Sequence, residues 1–298
     1  MPEPIRKATP VDLALIVILA LIWATAFQAI KVAGHEVPPF WLAVARVGTA
    51  LTALLPWALF RGLVLPQSAR EWRMVLALVV LNIVIPFSLI NAAERTISSG
   101  ETALLLGIGP LAGLILSHFL TEDDRLNLRK LIAVGLGFAG ISMVIGVQAF
   151  QQLGTHIVAQ ASVLLASICY VSSGIIVRHV HTIPPVRLSA LTFSIAAVLL
   201  LPLAWLFEGP PPAISASTFW PILYLGLFPS GVATILRFHL LRQVGVSMFA
   251  HVGNLIPVFG VMLGAVLLGE TITGVVIAAL VLILGGVALA RTGAQRQP

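Results

Sequence analysis

Residues 11–33 read VDLALIVILALIWATAFQAIKVA, and the reading of this stretch decides the fold. Arg6 and Lys7 precede it, and Ala24-Thr25-Ala26 lies inside it, an arrangement similar to a secretory leader with its cleavage site. A leader's apolar core is short, about 7–15 residues. The run here is longer and suits a helix crossing a bilayer core, which needs about 20 residues. It also has a counterpart in mid-chain, residues 156–178, HIVAQASVLLASICYVSSGIIVR. The stretch therefore reads as a retained first membrane helix.

Composition carries that reading to the whole chain. Of 298 residues, 59% are hydrophobic and 9% charged, where a soluble domain carries about a quarter charged. So few charges cannot cover a water-facing surface, and a bilayer is the medium that suits the rest. Ten apolar segments follow, at roughly 11–33, 38–60, 72–93, 98–120, 128–147, 156–178, 187–207, 217–238, 246–268 and 272–290. They are expected to be helices, because a membrane barrel needs short alternating strands that the sequence lacks.

Lys and Arg set the expected orientation. With the N-terminus in the cytoplasm, 14 of 17 basic residues fall on the inner side, including Arg237. Lys31 and Arg95 fall outside, and Arg46 inside the second span. Both termini are then cytoplasmic. The basic residues are scattered over short loops, which argues against a nucleic-acid partner despite the formal charge of +6.

The two halves match at a shift of about 147 residues. Trp23 to Phe27 corresponds to Tyr170 to Gly174, Pro38-Pro39 to Pro184-Pro185, and Pro56 to Pro202. Gly109-Pro110 and Gly113 correspond to Ile256-Pro257 and Gly260, and Gly140-Ile141 to Gly286-Val287. Five helices per copy is an odd number, so the second copy enters the membrane from the opposite face. The expected fold is an all-α integral membrane protein of ten transmembrane helices, built as two inverted five-helix repeats, 1–147 and 148–298. Inverted repeats suit alternating access, since one pattern builds outward-open and inward-open states of similar energy.

Trp23-x-x-x-Phe27, the Ala-rich fourth span reaching Pro110, and Pro257 followed by Gly269-Glu270 give the chain a familiar look. It resembles the drug/metabolite transporter superfamily, in its ten-helix EamA branch, and within that branch YddG-type amino-acid exporters. The resemblance covers nearly the whole chain and implies solute export across the bacterial inner membrane. Glu122-Asp123-Asp124 departs from the family's usual Gly-Glu pair at that loop.

Polar residues at bilayer depth are costly and so mark candidate sites. Pro110 and Pro257 withhold an amide from the carbonyls of Leu106 and Gly253. His251 and Asn254 lie near Gly253, and together they form one candidate binding surface. Thr25 and Gln28 are three residues apart and expected to share a helix face. Trp23 and Tyr170, with Ser173, are expected to border and gate the cavity. Arg46 either pairs with Glu101, holds a substrate carboxylate, or snorkels to the interface. The third span adds Asn82, Ser88 and Asn91 beside Pro86, and the eighth adds Ser230 and Thr234 beside Pro229. Gly109-x-x-x-Gly113 and Gly260-x-x-x-Gly264 are expected to let the fourth and ninth spans cross closely.

Other functions find less support. No metalloprotease, hydrolase or nucleotide-binding motif occurs, so an enzyme, a metal site and direct use of ATP are not expected. No re-entrant filter loop argues for a channel, and a scaffold would leave the paired mid-helix prolines unexplained. Cys169 stands alone, so no intramolecular disulfide can form. The expected partners are a small-molecule substrate and the lipid bilayer, with no cofactor and no nucleotide, and the oligomeric state is left open, a monomer included. Energy coupling is left between facilitated diffusion and a proton relay through His251.

Overall fold

A computed structural model describes residues 8–109, 111–112, 128, 131–132, 135–137, 139–140, 143 and 155–292. The described residues are helical and contain no strand. The helices are α1 (Pro10–Ala33), α2 (Pro39–Phe60), α3 (Ala69–Ala93), α4 (Ser99–Leu106), α5 (Thr155–Val177), α6 (Pro185–Glu208), α7 (Ala216–Gln243), α8 (Gly245–Leu268) and α9 (Gly274–Thr292). Seven among the described residues are long and apolar enough to cross a membrane. Of the expected fifth span only residues 128, 131–132, 135–137, 139–140 and 143 are described, and Pro110, Gly113 and the acidic triplet lie outside the described residues.

Local chemistry fixes the helix starts. Thr9 and Asp12 form a reciprocal capping box at α1. Ser68, Ser98 and Ser215 cap α3, α4 and α7 through their side chains. Pro39 and Pro185 occupy the first turns of α2 and α6, where a missing amide costs nothing. Residues such as Phe60, Val198, Leu206 and Val266 are 72–87% or so bare to the surroundings, between 72% for Val198 and 87% for Phe60. Such an apolar exterior over a polar-containing interior suits lipid and not water.

Two of the described helices depart from regular α geometry. Val80–Val84 within α3 and Gly226–Val232 within α7 are π-helical. Pro86 has no amide to give the Asn82 carbonyl, and Pro229 likewise interrupts α7; each wider turn accommodates the break. The π segments start 146 residues apart, as do α2 and α6, and α4 and α8. The extra residue in each turn also lengthens its helix path. The eighth span, expected to end near 238, continues to Gln243, and Arg237 sits inside it, 3% exposed.

Hydrogen bonds gather the connecting segments at two ends. At one, Glu208 caps α2 through the amides of Phe40 and Trp41, both at 2.9 Å. Glu270 does the same for α4 through Ser99 and Gly100, at 2.8 and 2.9 Å, and Glu36 accepts from the amide and hydroxyl of Ser215 before α7. A carboxylate at a helix N-terminus answers both the unpaired amides and the dipole. At the other end Glu71 takes the Thr182 hydroxyl, Arg187 donates to the Arg61 carbonyl, and Arg242 to those of Val180 and Ile183.

Small residues bring α4 and α8 together. A Cβ on Gly260 would overlap that of Ala103, and one on Gly107 would come within 2.8 Å of Pro257. The expected close packing is present, but Gly109 faces Ser167 of α5 instead of α8.

Candidate functional site

Two buried guanidinium groups organise the interior. Arg46, 5% exposed, sits seven residues into α2, about 10 Å from its start at 1.5 Å per residue. Its Nε donates to the Ser230 hydroxyl and its Nη1 to the Asn91 amide oxygen, both at 3.3 Å. The guanidinium lies over the Phe87 ring, 3.9 Å from the centroid. Asn91 is anchored in turn, donating to the Pro39 carbonyl at 3.0 Å. Arg46 makes no pair with Glu101, whose carboxylate accepts from Gln160 at 2.6 Å. Nor does it snorkel, because helix packing closes around it.

Arg237 is the second group. Its Nη2 donates to the Tyr170 carbonyl at 2.8 Å and the Ser173 hydroxyl at 2.9 Å. Its Nη1 is buried with no hydrogen-bond partner. Ser173 also donates to Asn82 at 3.4 Å, so α3, α5 and α7 meet here. Phe249 faces the guanidinium at 5.9 Å and meets Trp23 edge-on at 6.1 Å. Trp23 donates to the Pro229 carbonyl at 3.2 Å, next to Ser230. Tyr170 is within electrostatic reach of both guanidinium groups. Arg46, Arg237, Trp23, Tyr170, Phe87 and Phe249 therefore line one polar and aromatic interior.

The sequence pointed to most of this group but left Arg237 out. Ser230, Thr234 and Arg237 follow at i, i+4 and i+7, a single helix face, and Arg237 stands 146 residues after Asn91. Either signal could have found it. Thr234 is 5% exposed on that face. Ser88 donates to its own helix at the Val84 carbonyl.

Other candidates go elsewhere. Thr25 and Gln28 meet different helices: Thr25 meets the Tyr224 hydroxyl of α7 at 2.5 Å, while Gln28 reaches the Gly260 carbonyl of α8 at 3.4 Å. Residues three apart point about 60° from each other on a helix, enough for α1 to meet a different helix with each. The carbonyl of Leu106, the one that Pro110 cannot serve, takes the Ser167 hydroxyl at 3.3 Å, so it is spent on packing. His251, Gly253 and Asn254 are half-buried on α8, and Pro257 is buried against Gly107. None of them bonds to Arg46 or Arg237.

A family model described as the EamA-like transporter family matches the chain twice, over residues 12–146 and 158–292. "Uncharacterized transporter YoaV" of Bacillus subtilis (strain 168) is 23% identical over 276 residues, covering 91% of this chain and 93% of its own. "Uncharacterized inner membrane transporter YedA" of Escherichia coli (strain K12) is 26% identical over 280 residues, covering 90% and 89%. "Probable amino-acid metabolite efflux pump" of Salmonella typhimurium (strain LT2) is 28% identical over 306 residues, covering 92% of each chain. A solved crystal structure aligns with a TM-score of 0.69 over 97% of this chain and 100% of its own, at 21% identity. At that identity the likeness establishes a shared fold.

Proposed function

The chain belongs to the EamA-like transporter family, and from that premise we propose that it exports small organic solutes bearing a carboxylate, amino acids first among them, by alternating access. It is a multi-pass transporter of the inner membrane. In this reading ten helices form two inverted repeats of five, 1–147 and 148–298, with both termini cytoplasmic. The recurrence of helix starts and π-helical turns at 146 residues supports the repeat. The sorting of connections into two ends supports the alternation of helix direction.

One observation carries the choice of substrate. Arg46 and Arg237 are buried cations whose partners are hydroxyls, an amide and a carbonyl, with no carboxylate among them. A buried charge without a counter-charge is costly, and a carboxylate presented to guanidinium forms strong paired bonds. The 3.3 Å bonds of Arg46 are long enough to be exchanged for such a pair. Trp23, Tyr170, Phe87 and Phe249 supply walls for an apolar or aromatic side chain. A relative named as a probable amino-acid metabolite efflux pump is consistent with this cargo.

The test is counterflow in liposomes of purified protein, with labelled threonine, methionine and phenylalanine beside phenethylamine, which lacks the carboxylate. Saturable exchange of amino acids and none of the amine is the expected result. Equal exchange of phenylalanine and phenethylamine would sink the carboxylate reading.

A further inference from the structure

The connection between α3 and α4 holds a charged cluster that the substrate site does not use. Lys31 of α1 donates to the carbonyls of Glu94 and Ile97, at 2.6 and 2.9 Å, and pins this corner to the bundle. Glu94 is 2% exposed. Its Oε2 accepts from the Ser99 hydroxyl at 3.1 Å, while its Oε1 is buried with no hydrogen-bond partner. The Ser99 amide is held by Glu270 from the α8–α9 connection. A cavity of about 210 Å³ lined by Lys31, Gly34, His35, Glu94 and Arg95 lies against the cluster.

A buried carboxylate oxygen without a donor is unfavourable as an anion. A proton on the carboxyl removes the charge and the cost, and the adjoining cavity gives that proton a way in. We propose that Glu94 is the proton-binding site that couples solute export to inward proton movement. The inference rests on the transport reading above. In each cycle one proton enters from the outer water, neutralises the carboxylate, and leaves to the inner water as a solute travels outward. No other bond is made or broken.

The surroundings agree. Burial, the largest influence, pushes the Glu94 carboxyl up to about 8. The Lys31 ammonium and the Ser99 hydroxyl pull the other way, and the nearby Glu270 carboxylate adds to the rise. Arg95 and His35 are the further charged or titratable groups lining the cavity. The rise carries the carboxyl toward the range in which a coupling site must work. Its position also suits the task. Glu94 grips Ser99, the first residue of α4, so a change in its charge acts on a helix packed tightly against α8.

The experiment uses the full chain in liposomes with labelled threonine, methionine and phenylalanine. A lumen made acidic relative to the bath should drive uphill solute uptake, with lumenal alkalinisation read by trapped pyranine. Glu94→Gln keeps the shape and the Ser99 bond but cannot titrate. It should retain solute–solute counterflow and lose both gradient-driven uptake and the pyranine signal, whereas Glu94→Asp should keep a measurable part of each. Two outcomes overturn the inference: wild-type counterflow that ignores the pH gradient, or Glu94→Gln with undiminished gradient-driven uptake. Absence of wild-type counterflow for every probe would instead bring down the transport reading, and this inference with it.

Discussion

Arg46 and Arg237 differ from ordinary basic residues of membrane proteins in having no escape. A long cationic side chain near a helix end usually reaches the headgroups, but these two are enclosed by helices and bonded to uncharged groups. Their role can be separated from packing by chemistry at the guanidinium. Arg46→Ala should raise the KM for an amino acid by about tenfold to a hundredfold, the equivalent of about 1.5–3 kcal/mol for a bond to a charged group. Arg46→Lys should recover little, because an ammonium cannot offer the paired geometry. The KM of an uncharged or amine solute, where one is carried at all, should not move in parallel. Concentration-dependent counterflow measures all three, and full rescue by Lys would mean that charge alone matters.

At the scale of the element, the π-helical turns explain why part of the site was legible in the sequence and part was not. Pro86 and Pro229 drew attention to Asn82, Ser88, Ser230 and Thr234, and the turns they interrupt do hold Asn82 and Ser230. Hydropathy, however, does not register one extra residue in a turn. Hydropathy ends the eighth span near 238 and puts Arg237 at its edge, whereas the helix runs on to Gln243 and buries Arg237. The same turn predicts a mutational effect. A Cβ on Gly226 would collide with the Thr49 side chain and stand 2.9 Å from the Arg46 carbonyl. Gly226→Ala should destabilise the protein by about 1–3 kcal/mol, as overpacking does. It should also disturb transport, because the displaced backbone is that of Arg46. A lower Tm in detergent, together with reduced exchange, is the expected pair of results.

For the whole molecule the central expectation is inversion, which places matching corners of the two halves on opposite sides of the membrane. Leu63 and Ile214 are 54% and 44% exposed, in the connections after α2 and α6. The proposed topology puts the first inside and the second outside. In a Cys169→Ser background, Ile214→Cys should react with a membrane-impermeant maleimide in intact cells. Leu63→Cys should react only after lysis. Cys169 is buried, so its replacement serves to clear residual labelling. Reaction of both sites in intact cells, or of neither, would contradict an odd number of crossings per repeat.

The sequence by itself determined the solvent of this protein, its helical form and its twofold pattern. Those properties follow from one-dimensional facts: how many apolar residues run together, where proline and serine interrupt them, and at what interval the pattern returns. It also supplied Arg46, because a lone cation in an apolar run stands out without any knowledge of its neighbours. Only the tertiary structure decided which polar residues serve one another. Thr25 and Gln28 separate because α1 is wedged between α7 and α8. Leu106 loses its carbonyl to Ser167, Glu101 goes to Gln160 and leaves Arg46 for Asn91 and Ser230, and Glu94 becomes buried where a loop was expected. Each outcome depends on helix rotation and on contacts between segments as many as 232 residues apart, and no local pattern encodes the direction in which a side chain finds its partner.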